Sequence, residues 1–181
     1  MVTLGSKYVP YFCEENIWHL CQDPVFEGLE RRVVFISNAE RQCPVWCQRS
    51  AAAPGEPVVW DYHVILFVQV DEQWRVYDLD TVLGLDVPMV EYLQQSFAPR
   101  GLLPLPWAQR FRVIEADTYV QHFSSDRSHM RQGPQWKAQP PAWPCILADD
   151  AQHNLFDFVD THAPFYGSCF DLPGLCSWFG V

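Results

Sequence analysis

His63-Val64-Ile65-Leu66-Phe67-Val68-Gln69-Val70 runs into Asp71-Glu72-Gln73 and out again as Trp74-Arg75-Val76-Tyr77-Asp78-Leu79-Asp80. The first segment is apolar apart from His63 and Gln69, and the last alternates well enough for a strand. A short polar turn between two strand runs predicts an antiparallel hairpin. Directly opposed residues in a hairpin keep a constant number sum. A two-residue loop at Asp71-Glu72 pairs Val70 with Gln73 and sets His63 opposite Asp80. Moving the loop by one residue sets His63 opposite Asp78 instead. The two aspartates share a face of the strand, so either register brings a carboxylate within reach of His63. Such a carboxylate fixes the imidazole tautomer and stabilises its protonated form, which is half of a catalytic constellation. The plain alternative is a structural His–Asp pair at a strand end.

Working outward, Glu14 to Cys21 reads as a short helix. Ile17, Leu20 and Cys21 fall at helical spacing, and two glutamates occupy the first turn, where the dipole favours them. Val33 to Ile36 is a strand run, and Val58 to Trp60 begins an extended region that continues through Val70. Val87 to Phe97 reads as a helix with Val90, Leu93 and Phe97 on one stripe. Phe111 to Ile114 reads as a strand, Asp117 to Phe123 as a helix, and Asn154 as the N-cap of a helix through Val159. The proline-rich stretches Pro99 to Pro106 and Pro134 to Pro144 read as surface loops. A helix followed by several strands predicts an α+β fold with an antiparallel sheet flanked by helices. At 181 residues, one domain over 1–181 is expected.

Lys and Arg total 12 against 22 Asp and Glu, for a net charge of −10. That balance argues against a phosphate-backbone partner, so no nucleic acid is expected. No apolar run approaches the roughly 20 residues of a membrane span, and Met1 to Pro10 lacks the apolar run of a leader. A cytoplasmic location without membrane attachment is expected, with the nucleus open to a eukaryotic protein. Seven cysteines, an odd number, fit free thiols in a reducing compartment.

One of those thiols could be a nucleophile, which needs a local positive potential to lower its pKa. Cys13 sits immediately before the first helix and fits. Cys21 lies on that helix's apolar stripe and fits the core. Cys43 and Cys47 form a C-x3-C pair, but no second Cys/His pair with ligand spacing follows, so no metal is expected. A cysteine before a helix, then a histidine and a carboxylate on a sheet, is the chain order of papain-like and transglutaminase-like enzymes. A thiol peptidase, an acyltransferase and a non-catalytic binder of chain ends are the rival readings.

Longer strings narrow the choice. Tyr11-Phe12-Cys13-Glu14-Glu15-Asn16-Ile17-Trp18, Val34-Phe35-Ile36-Ser37-Asn38 and Val59-Trp60-Asp61-Tyr62-His63-Val64 resemble blocks of the protein N-terminal glutamine amidohydrolase family. So do Tyr77-Asp78-Leu79-Asp80-Thr81-Val82-Leu83, Phe111-Arg112-Val113-Ile114 and Ser125-Asp126-Arg127-Ser128-His129-Met130. Pro144-Cys145-Ile146 and Asn154-Leu155 continue the match in order; the 43–53 loop and the tail from Ser168 depart from it. The resemblance implies a transglutaminase-like or papain-like cysteine-hydrolase core that deamidates an N-terminal Gln to Glu, without a cofactor. It implies Cys13 as nucleophile, His63 as general acid and base, and Asp78 as the orienting carboxylate. It also implies protein or peptide substrates with a free N-terminal Gln, a monomer, and a place in an N-degron pathway.

Selecting a chain end requires reading an α-ammonium, which a carboxylate in a cleft can do. Glu14, Glu15, Asp61, Asp80 and Asp126 are the candidates, with Trp60 and Tyr62 as cleft walls. The competing readings are helix-dipole partners for Glu14 and Glu15, an Asp126–Arg127 ion pair, and a structural His129.

Overall fold

The computed structural model describes residues 7–97, 103–148 and 152–181. Along the chain come α1 (Cys13–Leu20), β1 (Arg31–Ser37), β2 (Cys43–Val45), β3 (Val58–Trp60), β4 (His63–Val70), β5 (Gln73–Tyr77) and β6 (Val87–Pro88). Then follow α2 (Met89–Ser96), β7 (Arg110–Glu115), α3 (Ala116–His122), β8 (Arg131–Gln132), β9 (Gln135–Trp136), α4 (Leu155–Val159), β10 (Ser168–Phe170) and α5 (Leu172–Phe179). A six-stranded sheet has the order β10-β7-β1-β4-β5-β6, and every neighbouring pair is antiparallel. β2 with β3 and β8 with β9 form separate two-stranded ladders.

The continuous apolar runs in β1 and β4 have a direct cause, because helices cover both faces of the sheet. Val33, Phe35, Val64, Leu66 and Val68 pack on one side with Ile17 and Leu20 of α1, Tyr119 of α3 and Phe158 of α4. Val34, Ile36, Ile65 and Phe67 pack on the other with Tyr92 and Leu93 of α2 and Leu175 of α5. Alternation inward and outward, usual where one face meets water, is therefore lost. Among the described residues, no helix is long and apolar enough to cross a membrane.

The 63–80 hairpin takes the two-residue loop, pairing Val70 with Gln73 and Leu66 with Tyr77. Asp71 and Glu72 both have positive φ, at 48° and 63°. That conformation matches the twist of the flanking strands, although neither residue is glycine. The ladder stops at Tyr77, so His63 is not paired with Asp80 across it. His63 pairs with Ile36 of β1 on its other side.

Other expectations shift by physical detail. The extended region expected over Val58 to Val70 breaks at Asp61-Tyr62, and β3 pairs with β2 rather than continuing into β4. In α2 the buried stripe is Met89, Tyr92, Leu93 and Ser96, while Val90 points outward. Leu93 and Phe97 of the expected stripe are buried as read, and Met89, Tyr92 and Ser96 complete the inward face in place of Val90. Asn154 takes the N-cap position of α4 as expected, but its side chain makes no capping hydrogen bond. Its side chain instead accepts from Ser124 N–H and donates to the His122 carbonyl, tying α4 to the end of α3. Of the expected loop Pro99 to Pro106, positions 99–102 lie outside the described residues.

Candidate active site

His63 opens β4, and Asp78 directly follows β5, so the hairpin delivers both to one end of the sheet. His63 Nε2 lies 2.9 Å from Asp78 Oδ1, and both side chains are fully buried. Three further donors reach the same carboxylate. Asp80 N–H donates to Oδ1, while Gln48 Nε2 and the Tyr92 hydroxyl donate to Oδ2 at 2.9 and 2.8 Å. Burial alone would push the Asp78 carboxyl up, but the His63 charge and these hydrogen bonds hold it below its ordinary range. Burial would likewise push His63 down, and the Asp78 carboxylate, with Asp80 and Glu14, carries it above its ordinary value. An ionised Asp78 accepts, so His63 Nε2 carries the proton and Nδ1 is the basic atom. Nδ1 is buried and has no hydrogen-bond partner among the described residues. Trp60 stacks on the imidazole, with ring centroids 5.1 Å apart and planes 13° from parallel.

Cys13 is the first residue of α1 rather than the residue before it, and it is buried. Its N–H donates to no described residue, as expected at a helix start. Asn16, one turn on, clamps the preceding chain by exchanging hydrogen bonds with Val9 N–H and carbonyl. Tyr11, between them, has φ +69°, a strained conformation for a bulky residue. Cys13 shares a buried cluster with Val64, the residue after His63, whose backbone pulls the thiol toward the ionised form.

The surroundings oppose it. Burial, and then Glu14, Asp80 and Asp61, push the thiol well above its ordinary pKa. The thiol donates weakly to Glu14 Oε2 at 3.7 Å. The low-pKa thiolate that a helix start favours is opposed here first by burial and then by these carboxylates.

A cleft of about 470 Å³ opens over Cys13. Tyr11, Trp60, Asp61, Tyr62, Asp80, His129 and Phe156 line it, with Arg41, Met130, Lys137 and Ala138. Cys13, Trp60, Asp61 and Asp80 are thus brought together as the sequence predicted, with His63 and Asp78 directly behind. Glu14 is fully buried beneath the cleft, where it accepts from the Tyr62 hydroxyl at 3.0 Å and lies 3.4 Å from His129 Nε2.

Two candidates are elsewhere. Both Glu15 oxygens bind Arg127, at 2.7 Å each, and one also accepts from Trp143 Nε1. That carboxylate has no room for substrate. Asp126 accepts from Ser128 N–H and approaches His153, outside the cleft; Arg127 takes Glu15 rather than Asp126 as its partner.

Gln48, Tyr92 and Tyr8 escaped the sequence reading. Gln48 lies in the irregular loop after β2, and only its bridge to Thr81 places it at the site. Tyr92 looked like one more apolar residue of α2. Tyr8 donates to Asp80 Oδ1 at 2.6 Å across 72 residues, which no local pattern signals. His63, Asp78 and Asp80 each put one potential ligand atom within 4.8 Å of the others. Four donors already fill the acceptor positions of Asp78, so it has none to give a metal ion.

A basic nitrogen held bare behind the cleft by a buried carboxylate marks general acid–base chemistry on an α+β scaffold. The chain belongs to the N-terminal glutamine amidase family, whose model matches residues 8–179. It is 40% identical over 174 residues to protein N-terminal glutamine amidohydrolase of Bos taurus, covering 92% of this chain and 83% of that protein. The Homo sapiens protein of that name is 41% identical over 159 residues, 84% of this chain and 77% of its own. That of Arabidopsis thaliana is 35% identical over 164 residues, 84% and 74%.

Proposed function

We propose that this chain hydrolyses the side-chain amide of an N-terminal Gln in proteins or peptides, yielding N-terminal Glu and ammonia. Family membership supports the substrate. The observation that carries the chemistry is the bare Nδ1 of His63, fixed by Asp78 at the start of the strand whose next residue, Val64, shares a buried cluster with Cys13.

The sequence of steps follows from those positions. His63 Nδ1 takes the Cys13 proton as the sulfur attacks the amide carbon. The oxyanion forms near the orphan N–H of Cys13 at the helix start. His63 returns the proton to the leaving nitrogen, ammonia departs, and a thioester remains. Water then gives a proton to His63 and attacks the thioester; the carboxylic acid leaves and the thiol is restored. Asp78 keeps Nε2 protonated throughout. In this reading the scaffold is the transglutaminase-like or papain-like one, and the chain acts as a cytoplasmic monomer supplying N-terminal Glu to an N-degron pathway.

Mass spectrometry of a Gln-starting peptide tests it, with an N-acetylated twin and an internal-Gln peptide as controls. A gain of about one dalton is expected on the free N-terminal Gln alone, and none with Cys13→Ala. Gain on internal Gln means a broader amidase, and backbone cleavage means a peptidase. Full activity in Cys13→Ala removes the thiol from the mechanism.

A further inference from the structure

The proposed reaction leaves open what recognises the free chain end. We propose that Asp80 is the acceptor of the substrate α-ammonium, held for that task by Tyr8; this rests on the deamidation reading. Asp80 lines the cleft yet is only 6% exposed. Its Oδ1 takes the Tyr8 hydroxyl, and Oδ2 receives no hydrogen bond from any described residue. No Lys or Arg among the described residues forms an ion pair with it. The cleft's own cations are engaged, Arg41 over the Phe156 ring and Lys137 at the His129 carbonyl. A buried carboxylate without a cation is costly to keep, and a bound ammonium removes that cost.

The other cleft carboxylates fit less well. Asp61 is exposed, so water already satisfies it, and its Oδ1 caps Tyr62 N–H. Glu14 is fully buried behind Tyr62 and His129. Position favours Asp80 as well. In glutamine, four bonds separate the α-nitrogen from the side-chain carbonyl carbon, a reach on the order of 5 Å. The ammonium partner must therefore stand close to the acid–base pair. Asp80 does, since its carboxylate belongs to the same 4.8 Å group as His63 and Asp78.

The test compares a Gln-starting peptide with its desamino analogue, in which hydrogen replaces the α-ammonium. For the native chain, kcat/KM is expected to favour the free amine by about 100-fold or more. In Asp80→Asn that ratio collapses toward one, because the amine substrate loses far more than the desamino one. An equal fall on both substrates shows that Asp80 acts only through His63 and overturns the proposal. Calorimetry on Cys13→Ala protein gives a reading that needs no turnover. Gln peptide is expected to bind more tightly than its N-acetyl twin, and the preference to vanish in Cys13→Ala/Asp80→Asn. A preference that survives overturns the assignment; one that vanishes supports it even if the native chain fails to deamidate. Matched thermal unfolding of each variant separates folding loss from lost recognition, and Tyr8→Phe, which keeps the carboxylate, is expected to lower the amine preference partially.

Discussion

Asp78 carries four hydrogen bonds inside a dry core, and its ion pair with His63 links the site to pH. Its folded pKa lies below the ordinary 3.8, so its contribution to stability is full above that value and is lost as pH falls through the folded pKa. His63 has a folded pKa above the ordinary 6.5. Its contribution is full below 6.5 and is lost as pH rises through the folded pKa. The melting temperature of the native chain should therefore exceed that of Asp78→Asn most between 3.8 and 6.5, with the gap narrowing on both sides. Thermal unfolding across pH checks this, and a gap that stays flat from acid to alkali would remove the ion pair as its cause. At this scale the sequence was legible up to a choice of two. Spacing put one aspartate near His63, and only the family resemblance favoured Asp78. The observed register formally points His63 at Asp80, but the strand ends at Tyr77 and Asp78 turns in. Where a strand frays cannot be read from alternation, because it depends on donors such as Gln48 and Tyr92 brought from elsewhere.

Among the elements, the hairpin was the most readable because its signals are local. Its turn nonetheless uses Asp71 and Glu72 in a conformation that favours Asn-Gly. A residue with a Cβ pays roughly 1–2 kcal/mol for left-handed backbone. Replacing the pair with Asn-Gly should stabilise the chain by about 1 kcal/mol and raise its melting temperature by about 2–4 °C. Deamidase activity should not change, since the turn lies at the far end of β4 from His63. Calorimetric melting and a rate assay check both halves, and an unchanged melting point would mean that the turn is already unstrained. α1 was legible to within one residue, and that residue mattered, because it moved Cys13 into the helix. In α2, Leu93 and Phe97 face inward as read, and only Val90 of the expected stripe is exposed. β10 and α5 were not foreseen, since a three-residue strand and a helix carrying Pro173 and Gly174 give weak periodicity.

Across the whole molecule, segments distant in sequence are tied by a few buried polar contacts. Arg127 is the main one. It pairs with Glu15 of α1 and also donates to the carbonyls of Pro141, Trp143 and Pro144. Arg127→Ala leaves Glu15 buried and unpaired, which should cost about 3–5 kcal/mol. Denaturant unfolding measures the loss, and limited proteolysis should show cleavage between α3 and α4 first; a loss within about 0.5 kcal/mol would mean that water reaches Glu15. Such long-range pairing is what the sequence concealed, whereas the α+β class followed from the order of helix and strand runs along the chain. The sheet itself ends in β6, two residues long, and β10, three residues long. Edges this short offer little backbone for a visiting chain to zip onto. Under the proposed function, short edges let the chain receive one polypeptide terminus at a time without pairing the rest of that backbone onto its own sheet.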